Sequence, residues 1–247
     1  MPENRPASSN RAVVVVAAVI GVLVVVLGLV LAQTLTSDDD PVAPAAESPS
    51  QTVATPAAGE CNEPPPVPES PEQYDEVPDA SLAEDAVWIA RVITNCGEIV
   101  MELAGDKAPQ TVSSFLFLAE ENFWDDSPCH RLVTEGIFVL QCGDPTGTGS
   151  GGPGYGYGVE NAPADGIYPR GTLAMARTAD PNSNGSQFFI VYDETELPDP
   201  TGYSVLGTVV DGMDIVDRIA EQGVGGSLGP EAPAQPISIL DIAIDRG

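Results

Sequence analysis

The chain has 247 residues, 43% of them hydrophobic, so it can bury the core of one or two domains. Acidic residues outnumber basic ones 37 to 9, for a formal net charge of -28. That balance argues against nucleic acid, whose phosphates need Lys and Arg, and against docking on anionic lipid. A strongly solvated surface is the plain reading of the charge. Adaptation to high salt is the sharper one, since Lys107 is the single lysine.

Ala12 to Ala32 is an apolar run dominated by Val and Leu. At about 1.5 Å per residue a helix of this length crosses the roughly 30 Å hydrocarbon core of a bilayer. Arg5 and Arg11 precede the run, Asp38, Asp39 and Asp40 follow it, and no Lys or Arg occurs again before Arg91. The positive-inside rule therefore predicts a cytoplasmic N-terminus over 1–11, a single-pass anchor in the cell membrane over 12–32, and an extracytoplasmic remainder. A cleaved signal peptide ending at Val30-Leu31-Ala32 is the competing reading. The run exceeds the roughly 7–15 residues of a signal h-region, and cleavage would leave the orientation the same.

Residues 33–85 read as a Pro/Ala/Glu-rich linker, with prolines recurring from Pro41 to Pro78 and Pro64-Pro65-Pro66 among them. Such a segment buries too little apolar surface to offset its ordering entropy, which predicts a disordered, extended spacer. The domain proper is expected over 86–247. Val87–Thr94 and Glu98–Leu103 read as strands around an Asn95-Cys96-Gly97 turn. Ala108-Pro109 opens a helix in which Val112, Phe115, Leu116 and Ala119 recur at helical spacing. Strands at Cys129–Val133 and Ile137–Cys142 follow, then a glycine-rich loop from Gly143 to Gly158. Further strands are predicted at Thr172–Arg177, Gln187–Val191, Val205–Val209 and Ile237–Ile244, with a helix from Met213 to Ala220. Many short strands with two isolated helices predict a mainly β domain, a closed antiparallel barrel capped by helices.

Four cysteines lie beyond the apolar run, and an even number in an extracytoplasmic segment suits two disulfides. Cys129 and Cys142 end the proposed hairpin and come opposite each other, leaving Cys61 with Cys96. Reduced, buried cysteines are the alternative. The spacing lacks the CxxC pairs of a zinc ribbon, and with His130 as the only histidine no triad or His-based metal cluster can be assembled. Next to Arg131 on a strand, His130 is expected to face away from any site and pack structurally. Gly147-Thr148-Gly149-Ser150-Gly151-Gly152 matches GxGxxG, but no helix can open at Gly152-Pro153-Gly154, so a loop bordering a groove is the better reading. Asn184-Gly185-Ser186 matches a glycosylation sequon and is read instead as a turn beside a groove.

The stretch Cys129–Cys142 places an arginine on one strand and a phenylalanine and a glutamine on the next. A cationic donor beside an apolar wall, with no evident nucleophile or metal cluster, suits a reaction that breaks no bond. Together with Ala108-Pro109-Gln110-Thr111-Val112, Gln141-Cys142-Gly143-Asp144, Gly171-Thr172-Leu173-Ala174-Met175-Ala176 and Asn184-Gly185-Ser186-Gln187-Phe188-Phe189-Ile190, it makes 86–247 resemble a cyclophilin, and more narrowly the membrane-anchored cyclophilins of actinobacterial type. The resemblance implies an eight-stranded barrel with two helices and peptidyl-prolyl cis-trans isomerase (rotamase) activity, here in chaperoning the folding of exported proteins. Arg131, Phe138 and Gln141 are then the catalytic candidates. Arg131 would aim N–H donors at the twisted prolyl nitrogen, and Gln141 would hold the substrate carbonyl or orient Arg131. Phe138, Val139, Phe189, Leu197 and Tyr203 would form the apolar slot. Ala176, Gln187 and the backbone of Arg177 would grip the peptide beside the proline.

The chain departs from the family pattern at several points. The turn between Arg131 and Phe138 is longer, Val139 stands where Met is usual, Arg177 where Asn is usual, and Tyr203 where a pocket His is usual. No Trp sits beside Leu197. A reshaped rim with altered sensitivity to cyclosporin-type ligands is expected. The expected partners are proline-containing polypeptides and, through the anchor, the membrane. No cofactor is expected, because no group is transferred, and a monomer is expected. The competing functional reading is a non-catalytic module that holds proline peptides at the cell surface.

Overall fold

The computed structural model describes residues 59–247. The apolar run 12–32, the flanking 1–11 and the linker up to residue 58 lie outside the described residues.

Strands β1 (Val87–Thr94) and β2 (Gly97–Ala104) form a hairpin whose register runs without a slip from Val87 opposite Ala104 to Thr94 opposite Gly97. Asn95 locks its turn. The side-chain amide donates to the carbonyls of Asn62 (2.8 Å) and Pro236 (3.2 Å), and its oxygen accepts from the Ser238 N–H (2.7 Å). Helix α1 (Pro109–Glu120) starts with Pro in its first turn. Ala108 cannot cap it, so the Glu160 carboxylate reaches in from a distant loop. It accepts the N–H groups of Gln110 (3.2 Å) and Thr111 (2.8 Å) and the Thr111 hydroxyl (2.9 Å), filling otherwise unpaired donors at the helix start. The apolar face buries Val112, Phe115 and Leu118, where Phe115 stacks with Trp124 and Phe188.

The remaining strands are β3 (Ser127–Pro128), β4 (Arg131–Val133), β5 (Val139–Cys142), β6 (Ile167–Tyr168), β7 (Thr172–Met175), β8 (Phe188–Val191), β9 (Thr195–Glu196), β10 (Val205–Asp211) and β11 (Ser238–Arg246). Helix α2 (Met213–Glu221) buries Ile215, Val216 and Ile219. Nine strands make one antiparallel sheet in the order β3-β11-β1-β2-β10-β7-β8-β5-β4, while β6 and β9 pair separately.

The expected closed eight-stranded barrel is therefore corrected to a curled, nine-stranded half-barrel with two helices. Its two edges, β3 and β4, are neighbours in the chain, yet no ladder joins them. Pro128 has no N–H to donate. The N–H groups of Cys129 and Leu132 go instead to the carbonyls of Ile237 (2.9 Å) and Glu231 (2.7 Å). A loop between α2 and β11 thus fills the seam.

Both disulfides are present, Cys61–Cys96 and Cys129–Cys142. The first bears on the linker. Residues 61–85, read as part of an extended spacer, lie against the domain as a strap. Tyr74 packs on Phe117 and Phe123, and a 3-10 turn at Ala80–Ala83 buries Ala83 completely. The pinned Cys61 and the aromatic contact supply the burial that proline-rich composition alone does not.

Candidate active site

Four strands line up side chains across the sheet: Arg131 on β4 faces Gln141 on β5, Gln141 faces Phe189 on β8, and Phe189 faces Ala174 on β7. Because strand side chains alternate, Val139 and Gln141 point to one face while Leu140 and Cys142 enter the main core. On the first face a slot of about 140 Å³ opens. Val139 and Phe189 form its buried base, Leu197 and Tyr203 a side wall, and Arg131 and Gln141 the polar lip.

The alternation also decides where Phe138 goes. It falls out of phase with Val139 and Gln141 and does not line the slot. Its ring is half-buried and edge-on to Tyr192, with centroids 5.9 Å apart. Ile137, two residues before Val139, lines the slot in its place. Of the three catalytic candidates, the structure brings Arg131 and Gln141 to the slot and leaves Phe138 beside it. A period-two count from Gln141 could have found Ile137 in the sequence.

Arg131 is held from two sides. Its Nη1 donates to Gln141 Oε1 and its Nε to Glu231 Oε2, each at 3.3 Å. The Glu231 side chain is 70% exposed, so this ion pair orients the guanidinium more than it immobilises it. Gln141 Nε2 donates to Gln187 Oε1 (2.8 Å), and Gln187 Nε2 donates to the carbonyls of Gly149 (3.1 Å) and Gly151 (2.9 Å). One chain of amides thus links the arginine to the glycine-rich loop. Glu231 lies one hundred residues from Arg131, and no signal in the sequence points to it.

A second, larger groove of about 560 Å³ continues from the slot and shares Gln141, Ala176 and Arg177 with it. Its walls are Gln187, Ser183 and the loop Gly149–Tyr155. Asp144 shapes that loop. Its fully buried carboxylate accepts from the Thr146 N–H (2.8 Å) and hydroxyl (2.7 Å), the Thr148 hydroxyl (3.3 Å) and the Gly151 N–H (3.0 Å). Burial by itself would raise its pKa. The bonds from Thr146 and Gly151 outweigh that effect and hold the carboxyl below the usual carboxylate range. The GxGxxG stretch is therefore a tightly tied loop bordering a groove.

Arg177 contributes through its side chain as well as its backbone. The side chain is only 2% exposed. Its guanidinium donates to Asp199 Oδ1 (2.6 Å), to Gly202 O (2.9 and 3.0 Å) and to Thr178 O (2.9 Å). It lies 4.7 Å from the centroid of the Tyr203 ring, a cation–π contact that fixes the slot's side wall.

His130 is buried and lines neither cavity. Burial lowers its pKa, Asp144 pulls the other way, and Arg131 adds to the lowering. Asn184 is fully buried and donates to Gly158 O at 2.8 Å, so the folded chain does not offer it for glycosylation. Among the described residues no cluster of three or more His, Cys, Asp or Glu could hold a metal ion.

A curled antiparallel sheet carrying an arginine-lipped apolar slot defines a cyclophilin-like protein. The profile of the cyclophilin type peptidyl-prolyl cis-trans isomerase family matches residues 89–244, and the chain belongs to that family. It is 40% identical over 169 residues to a probable peptidyl-prolyl cis-trans isomerase B of Mycobacterium tuberculosis, covering 62% of this chain and 53% of the relative. The chain thus spans about half the length of that mycobacterial protein. To peptidyl-prolyl cis-trans isomerase B of Escherichia coli K12 it is 36% identical over 162 residues, covering 62% of this chain and 97% of the relative. The crystal structure of a Cryptosporidium parvum cyclophilin type isomerase superposes with a TM-score of 0.55 at 32% identity, over 65% of this chain and 99% of that one. The same parasite protein has also been crystallised in the presence of the dipeptide Ala-Pro.

Proposed function

We propose that this chain is a peptidyl-prolyl cis-trans isomerase. The observation that carries the reading is Arg131 at the lip of a slot whose base is apolar and whose far side opens into a peptide-sized groove. A prolyl amide resists rotation by roughly 18–20 kcal/mol because its nitrogen shares a lone pair with the carbonyl. At the twisted midpoint that lone pair is localised on nitrogen. A donor placed over it binds the midpoint better than either planar isomer, which is the condition for acceleration. Val139, Phe189, Leu197 and Tyr203 take the proline ring, Arg131 supplies the N–H, and Gln141 holds either the arginine or the substrate carbonyl. Each tenfold in rate requires roughly 1.4 kcal/mol of such preference.

Faster exchange of an Ala-Pro peptide, followed by NMR or by protease coupling, is expected with the full chain. Arg131→Ala should lower kcat/KM about a hundredfold, the scale seen when one preorganised donor is lost, with the unfolding midpoint little changed. Unaltered turnover in that variant would discard the mechanism. Peptide binding by the unmodified chain without faster exchange would make the protein a holding module instead.

The cellular setting belongs to the same reading: an actinobacterial-type enzyme, anchored through 12–32, acting outside the cytoplasm on exported proline-containing chains. The apolar run, the charge asymmetry around it, the two disulfides and the mycobacterial relatives support it. Tyr203 in the side wall of the slot and Val139 in its base support an altered response to cyclosporin-type ligands.

A further inference from the structure

The strap Cys61–Pro78 precedes the segment that the family profile matches, and it meets the domain at successive points. The Cys61–Cys96 disulfide pins its start to the β1–β2 turn. Pro64, Pro65 and Val67 then share a shallow pocket with Leu228, Ala232 and Pro233, in the loop that presents Glu231 to Arg131. Tyr74 lies edge-on to Phe117 of α1, with centroids 4.9 Å apart. Gln73 Nε2 donates to the carbonyl of Gly152 at 2.7 Å, and the Tyr74 N–H donates to that of Pro153 at 2.8 Å.

These last bonds bring the strap to the larger groove. Gly151–Tyr155 is the groove's outer wall, and Gln73 itself lines the cavity. The backbones are in direct contact. Gly154 has φ of +94°, and a Cβ there would stand 2.8 Å from the Tyr74 carbonyl oxygen and 3.1 Å from its nitrogen. No side chain at 154 fits between wall and strap. The rest of the lining is uncharged, polar at Gln141, Gln187, Ser183, Thr178 and the glycine backbone and apolar at Pro153, Tyr155 and Ala176, and the one cation, Arg177, is already paired with Asp199.

We propose that the strap is a specificity element: Gln73 forms part of the groove and contacts substrate residues flanking the proline, so that sequence choice depends on a residue outside the family domain. This rests on reading the cleft as a prolyl isomerase site. The substrates it favours are extended chains with uncharged residues two or three positions from the proline.

The test places a charge at the wall. Full-length Gln73→Lys and Gln73→Glu are assayed on a short capped Ala-Pro peptide and on extended peptides with Glu or Lys flanking the proline at low salt. The extended-to-short ratio of kcat/KM is compared within each variant. Gln73→Lys should raise that ratio about threefold for Glu peptides and lower it for Lys peptides, with Gln73→Glu reversing both, the scale of an exposed charge pair. Ratios that match the unmodified chain for every peptide would overturn the proposal. If the unmodified chain turns over no peptide at all, the enzymatic reading fails by itself. Dissociation constants for the same peptides then decide the strap: a charge-reversing pattern upholds its place in the groove, and a flat pattern removes it.

Discussion

Asp144 shows how much one carboxylate can organise. It gathers Thr146, Thr148 and Gly151 into a loop whose carbonyls receive Gln187, and through Gln187 and Gln141 it supports Arg131. Its depressed pKa gives a signed consequence. The stabilisation is present above the unfolded-state value, about 3.9, and is lost as pH falls through the lower folded-state value. Asp144→Asn should cost about 2 kcal/mol at neutral pH, as hydrogen bonds to a charged acceptor are replaced. Urea midpoints of the two proteins should converge as the pH falls through the lowered folded-state value, where the native carboxyl also becomes protonated. Parallel curves would show that the loop does not depend on this charge. At the same scale, Phe138 and Ile137 mark a limit of motif reading. A motif carries residue order, whereas the pleat decides which neighbour faces the slot.

The curled sheet depends on close approach between β2 and β10. Gly207 sits where a Cβ would stand 2.0 Å from the Glu102 carbonyl oxygen, beside the shift in pairing between β10 and β7. A strand glycine at such a point permits backbones to meet. Gly207→Ala should force β2 and β10 apart and cost roughly 3 kcal/mol, measured as a lowered thermal or urea midpoint; a cost near zero would mean the two strands part freely. The elements β1, α1, α2 and β11 are legible in the sequence because each carries a long periodic pattern. The short pair β6 and β9 and the edge β3 were not legible, since two-residue strands have no period to read. Their pairing is set by what the rest of the fold brings beside them.

Two covalent ties act on the molecule as a whole. Cys61–Cys96 spans 35 residues and Cys129–Cys142 spans 13. In the chain-entropy account these contribute about 4 and about 3 kcal/mol respectively. Replacing Cys61 and Cys96 together by Ala should therefore lower the unfolding midpoint more than replacing Cys129 and Cys142 together. Equal or reversed losses, compared by urea titration under non-reducing conditions, would show that strain or packing outweighs loop length. The larger tie also converts the end of a proline-rich linker into part of the domain surface, which its composition alone does not reveal.

By itself the sequence determined the family and the order of the main elements, and it singled out Arg131 as the catalytic candidate. All of these are written in residue types and spacings that local backbone periodicity and ordered motifs expose. Only the tertiary structure decided that the sheet stays open between β3 and β4, that Ile137 replaces Phe138 in the slot, that Glu231 steadies Arg131, and that Gln73 reaches the groove. Each of these depends on segments far apart in the chain meeting in space, where hydrogen-bond partners and side-chain facing are settled by packing and not by neighbours in sequence.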